Sequence, residues 1–294
     1  VGFLVSGIAI GPTALGLVHE VQSVETLAEI GVVLLLFAVG LELSLSRIVK
    51  MGRLVLVGGT LSQLRDGDLQ RPGVPERKAM LRLAESLSIA GFGSFRYDQV
   101  GQGESQAKAG YKDLYAGDAQ VLADIYTYIR GRAECSKVIA VGESAGAYVA
   151  SLAAKAGAHA DGYVFLGGFC GKAEEIFSFN HGRLAEYVDR NRANAEWAKA
   201  NGLERYIAYG RRWKEMFAAA RAGRQTFEVA DGVFRETAQL ARRKEELDLP
   251  PDAMFAYVKG PALAVAGARD RNVPAEHAGC IAETMRKAGN QQVQ

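Results

Sequence analysis

Histidine is scarce in this 294-residue chain, where His19, His159, His181 and His277 are the only four. Acid–base chemistry near neutral pH usually draws on an imidazole, so few positions can serve it. Cysteine is scarcer still, with Cys135, Cys170 and Cys280 alone. Three cysteines so far apart make neither a disulfide framework nor a CxxC metal clamp. A reducing, cytoplasmic setting is therefore the default, and no metal or cofactor is expected. Neither sign of charge is in excess, since 35 Lys+Arg against 33 Asp+Glu leave +2. That balance excludes a polybasic nucleic-acid binder and an acidic tail. There is also no initiator Met, and no basic start followed by a small-residue cleavage site, so the chain reads as a fragment rather than as a secretory precursor. With 49% hydrophobic and 23% charged residues, what is there is an ordinary globular composition, and disorder is excluded.

The first 18 residues contain no Lys, Arg, Asp or Glu, and a second apolar run covers 30–41. The second run is short of the roughly 20 residues a membrane crossing needs. A buried apolar hairpin fits it as well, and any membrane contact is confined to residues 1–45.

From about residue 65 the pattern changes to short apolar strands alternating with amphipathic helices, which is how a parallel sheet with crossover helices reads. Strands are expected at 54–57, 94–97, 137–141, 163–166 and 261–266, and helices at 75–90, 118–130 and 276–288. Between 171 and 252 the strand signal gives way to an Arg-, Glu- and Ala-rich helical stretch that looks like a cap. Its aromatics, Phe177, Phe179, Tyr206, Tyr209, Trp213, Phe217 and Phe227, could line an acyl pocket or simply pack the cap. Its charges nearly balance, so no anionic substrate is implied.

The chemistry concentrates where the strand KVIAV runs into Gly142-Glu143-Ser144-Ala145-Gly146 and then the helical AYVASLAAKAG. A serine on so sharp a strand-to-helix turn is presented above the sheet edge, and the glycines are needed where backbone approaches too closely for a Cβ. The competing reading is a serine that only caps the helix.

GFGSFRYDQVGQGES, KVIAVGESAGAYVASLAA and PALAVAGARDRNVPAEH together resemble the α/β-hydrolase superfamily in that superfamily's order, over about residues 65–294. The resemblance implies an α/β fold with a helical cap insertion, a core split into 54–170 and 253–294 around the cap at 171–252, and hydrolysis of a small-molecule ester through an acyl-enzyme. Ser144 would be the nucleophile and Asp270 the acid that orients a histidine. The oxyanion hole would take the N–H of Ala145 and one from Thr60 or Leu61, in the loop after Gly58-Gly59. Asp98 would stabilise a turn. Cys170, with no histidine near it in sequence, reads as an inert thiol.

The family's histidine lies after a last strand that residues 289–294 only begin, so the chain is expected to stop before it. His181 and His277 are the candidates for a substitute base, while His19 and His159 read as surface residues. A homo-oligomer could supply the missing imidazole by strand exchange. Without it, a non-catalytic α/β-hydrolase-like binding domain is the alternative.

Residues 1 to about 60, GFLVSGIAIGPTALGLVHEV and LAEIGVVLLLFAVGLELSLSRI, are similar instead to the first membrane helices of Kef-type cation/proton antiporters. That resemblance implies an apolar segment over 1–53 foreign to the hydrolase fold. It leaves a membrane-tethered fragment as a further alternative, with the helices of an ion pathway absent.

Overall fold

The computed structural model describes residues 54–59, 78–107, 111 and 113–294. The apolar segment 1–53 and the two oxyanion candidates Thr60 and Leu61 lie outside the described residues. Five parallel strands form the main sheet: β1 (Leu54–Gly59), β2 (Gly93–Arg96), β3 (Lys137–Glu143), β4 (Gly162–Leu166) and, after a long insertion, β7 (Ala262–Val265). Their order across the sheet is β2-β1-β3-β4-β7. The register passes Val57↔Ala140, Ala140↔Tyr163 and Tyr163↔Ala262. Val293 adds a parallel bridge to Ala262 at the outer edge of β7. β3 thus lies in the middle of the sheet, and whatever leaves its carboxyl end stands over the centre of the sheet's edge.

The crossover helices follow from their apolar stripes. α1 (Ala79–Ile89) buries Ala84 and Leu87, and α2 (Tyr115–Arg130) buries Leu122, Tyr126 and Ile129. α3 (Ala145–Lys155) is almost wholly buried, and its run of Ala and Gly lets it lie close on the sheet. The core they share includes Tyr148, Phe165 and Ile281, all essentially inaccessible.

Between β4 and β7 comes an insertion, the segment expected as a cap. It contains α4 (Ala173–Phe177), a π-helical turn (Ser178–Gly182), α5 (Arg183–Asp189), α6 (Arg192–Ala200) and α7 (Glu204–Arg221). The hairpin β5 (Thr226–Asp231) and β6 (Phe234–Gln239) follows, then α8 (Ala241–Asp248) and the short α9 (Pro251–Met254). α10 (His277–Lys287) comes after β7. The hairpin corrects the expectation that the cap holds no strands. Phe227, Val229 and Ala238 point into the cap's own core with Met216 and Phe217, while Glu228 and Arg235 pair on the outside at 2.9 Å. A two-residue loop closes it, with Gly232 at φ 56°, the conformation a glycine adopts at little cost.

Candidate active site

Ser144 alone separates β3 from α3, and its backbone lies at φ 51°, ψ −120°, a region costly for any residue with a Cβ. Three features hold it there. Its N–H donates to the carbonyl of Leu166 at 2.9 Å, and its own carbonyl accepts from Ala147 N at 3.1 Å. The third is Gly142, where a Cβ would lie 2.7 Å from Ala147 N and from the carbonyl carbon and oxygen of Gly146. Those are backbone atoms that cannot swing aside, so only glycine fits. The Ser144 hydroxyl makes no capping hydrogen bond to α3. Ala145 begins that helix, and the first N–H groups of a helix lack partners within it, which favours negative charge at this spot.

Ser144 opens into a cavity of about 160 Å³. Phe169, Ile176, Phe177 and Val273 make its apolar wall, and Tyr115, Asn180, Arg243 and Glu246 its polar one. Of the cap aromatics anticipated as an acyl pocket, Phe177 alone lines this cavity; Phe217 and Phe227 pack inside the cap. Asn180 reaches the cavity from the π-helical turn. That turn is abutted by α7 at Gly210, where a Cβ would fall 2.0 Å from the His181 carbonyl oxygen.

Asp270 follows β7. Its Oδ1 accepts from the N–H groups of Asn272 (2.7 Å) and Val273 (3.1 Å), which shapes the loop. Its Oδ2 faces Gly167, the residue after β4, where a Cβ would come within 3.3 Å of that oxygen. Burial raises the Glu143 carboxyl above its ordinary range, and the charge of Asp270 adds to the rise. The loop after β7 therefore brings its carboxylate near the elbow. Asp98 is buried, and its Oδ2 accepts from Glu104 N at 3.0 Å, closing the turn that contains Gly101 and Gly103.

Among the described residues no imidazole lines the Ser144 cavity. His277 is buried, and its Nδ1 accepts the N–H of Cys170 at 2.9 Å, a bond that requires Nδ1 to be unprotonated. Burial lowers its pKa. That bond commits Nδ1, and His277 does not line the Ser144 cavity. His181 stacks on Phe177 (centroids 4.8 Å) and Tyr206 (5.4 Å), with Nδ1 against Asn180 Oδ1. Burial, then Arg243 and Arg205, lower its pKa to about 4. His159 is half-buried. The cysteine reading also changes, because Cys170 and Cys280, 110 residues apart, form a disulfide with Cα atoms 5.8 Å apart. Cys170 is thus not a free thiol; Cys135 is.

Sequence reasoning missed the polar wall. The run Arg242-Arg243-Lys244-Glu245-Glu246 falls in the charged helical stretch, to which the sequence assigns no partner, yet α8 lies against the start of α2. Glu245 accepts the N–H groups of Tyr115 and Ala116, both at 2.6 Å, supplying the cap that α2 lacks in its own sequence. Arg242 Nη1 pairs with Asp118 Oδ2 at 3.0 Å. Arg243 Nη1 lies 2.7 Å from Glu246 Oε2, while Tyr115 donates its hydroxyl to Glu246 Oε1 at 2.7 Å. Burial and Glu246 raise the Tyr115 pKa, so the hydroxyl stays a donor.

A central strand ending in a strained serine, a helix behind it, an aspartate after a later strand and an insertion of helices and a hairpin between the two strands are the arrangement of an α/β-hydrolase fold. Residues 77–294 match the family described as serine aminopeptidase, S33, and the chain belongs to that hydrolase family. Est1E from Butyrivibrio proteoclasticus, solved with ferulic acid bound, shares the fold with TM-score 0.51 and 14% identity, over 82% of this chain and 77% of its own. Residues 1–64 match the transmembrane sodium/hydrogen exchanger family. K(+) efflux antiporter 5 of Arabidopsis thaliana is 46% identical over 61 residues, 21% of this chain and 11% of that protein. The glutathione-regulated potassium-efflux protein KefC of Klebsiella pneumoniae is 46% identical over 68 residues, 23% and 11%. The chain spans about a tenth of the length of these curated relatives. Among the described residues no helix is long and apolar enough to cross a membrane.

Proposed function

We propose that this chain carries a serine hydrolase site for small carboxylic esters. Ser144 attacks the ester carbonyl, the alcohol leaves, and water cleaves the acyl-enzyme. Ala145 N–H stabilises the developing oxyanion, together with a donor from the loop after β1, for which Thr60 and Leu61 are the candidates. Asp270 orients the base through Oδ2, since Oδ1 is engaged by its own loop. The observation that carries the reading is Ser144 itself, a strained residue whose hydroxyl makes no cap bond and which lines a cavity with one apolar and one polar wall. The reading requires an imidazole between Ser144 and Asp270, supplied from outside the described residues. The same absence from the described cavity favours a second reading, a binding domain without turnover.

A fluorophosphonate probe separates the two. Labelling of the chain but not of Ser144→Ala, accelerated by added imidazole if the base is missing, supports the hydrolase. No labelling with or without imidazole, and no turnover of p-nitrophenyl butyrate, leaves the binding domain. The family's description makes aminoacyl p-nitroanilides the necessary comparison, since they present the same acyl carbon with an amine leaving group.

A further inference from the structure

The polar wall of the Ser144 cavity is built around one guanidinium. Arg243 is held on three sides: Nη1 by Glu246 at 2.7 Å, Nη2 by the Tyr115 hydroxyl at 3.3 Å, and its face by the Phe177 ring at 4.9 Å. Nη2 donates to the Tyr115 hydroxyl, and a guanidinium carries five N–H donors in all. Both residues line the cavity. Glu246 is 3% exposed and its Oε2 accepts no well-aligned hydrogen bond, while Arg243, at 16%, is the more exposed member of the pair.

The pair is neutral overall. A substrate carboxylate brought to Arg243 would also be brought to Glu246, and loses on the second what it gains on the first. A neutral oxygen has no such penalty, and it meets a donor whose orientation is already fixed, so little side-chain entropy is lost on binding. Size sets the other limit. A cavity of about 160 Å³ is close to the ~150 Å³ that accommodates a benzene-sized ligand, so the group it takes is short.

We infer that Arg243 is a specificity-determining residue, which ranks short acyl groups carrying a neutral oxygen along the chain, hydroxy- or oxo-acyl groups, above plain alkyl acyl groups of equal length. The inference rests on the reading that the acyl group of a substrate occupies this cavity. One hydrogen bond to a charged donor predicts a preference of about ten- to a hundredfold.

Two measurements keep this separate from catalysis. In the first, butanamide and 3-hydroxybutanamide, both uncharged and not ester substrates, are titrated against the full chain and followed by NMR. The hydroxylated amide is expected to bind at least about tenfold more tightly. Arg243→Met combined with Glu246→Leu replaces the ion pair with apolar groups and leaves no buried charge behind, so it is expected to fold and to lose the preference. Arg243→Lys keeps the charge but not the fork, and should lose part of it. Equal affinity in the wild type, or a preference that survives in the double variant, overturns the inference. In the second, kcat/KM is compared for p-nitrophenyl butyrate and its 3-hydroxy analogue. Amide discrimination without ester turnover would sink the hydrolase reading and leave Arg243 as a recognition residue. Turnover of both esters at equal efficiency would do the reverse.

Discussion

Replacing Ser144 by glycine should stabilise the protein relative to replacing it by alanine, the opposite of the usual order. At an ordinary position glycine is worse than alanine by roughly 0.5–1 kcal/mol, because its unfolded chain has more freedom to lose. Ser144 sits at φ 51°, ψ −120°, where a side chain with a Cβ costs on the order of 1–3 kcal/mol and glycine costs almost nothing. Alanine keeps that strain. The serine hydroxyl makes no cap bond to α3, so its removal is nearly neutral for the helix. Subtracting the entropy term leaves Ser144→Gly about 1 kcal/mol more stable than Ser144→Ala, a few degrees in Tm for a domain of this size. Urea unfolding of the three proteins, followed by circular dichroism with the slopes compared, measures this directly. A Ser144→Gly protein equal to or less stable than Ser144→Ala would show that the elbow is not strained.

Two further outcomes follow from groups near the site. His181 has its pKa lowered to about 4, first by burial, so between that value and 6.5 the unfolded chain binds a proton that the folded chain does not. Its stabilisation is complete above 6.5 and drains away toward pH 4, by at most about 3 kcal/mol, and His181→Phe, which keeps the stacking, should flatten the stability difference measured between pH 7 and 4.5. The Cys170–Cys280 bond closes a loop of 110 residues, so Cys280→Ser or reduction should lower stability by about 2–4 kcal/mol; if three thiols alkylate without reductant, the bond is not there.

How far the sequence carries depends on whether a feature is local. The strand, turn and helix around Ser144 share one short segment, and each step has a chain-local cause: β-branched residues, then Gly142, then an Ala-rich helix. The sheet was legible for the same reason, strand by strand. The β5–β6 hairpin had a local signal too, in Phe227 and Val229 alternating with charges before Asp231-Gly232, but the surrounding Arg and Glu favoured a helical reading. The disulfide had none, because a separation of 110 residues says nothing about proximity. Nor did the bond between His277 Nδ1 and Cys170 N, which joins residues 107 apart in sequence. The polar wall was least legible of all: Tyr115 meets Glu246 across 131 residues, and helical periodicity alone places RRKEE in water.

Stability alone does not account for the charges on that wall. Burying Arg243 and Glu246 costs several kcal/mol per ion in desolvation, which their attraction only partly offsets, and apolar residues of similar volume would commonly do as well or better for stability. Glu245 is different, because it satisfies two N–H groups at the start of α2 that no residue of α2 caps, and so it has a structural reason to be charged. Arg243 and Glu246 cap no backbone in this way: the arginine offsets the buried charge of Glu246 and packs on Phe177, tasks that an apolar pair would make unnecessary. A cap that only had to cover the sheet would not need this guanidinium. What an apolar residue could not supply is a rigid donor in the wall of the cavity that contains Ser144, and that ties the charge on α8 to what the cavity admits.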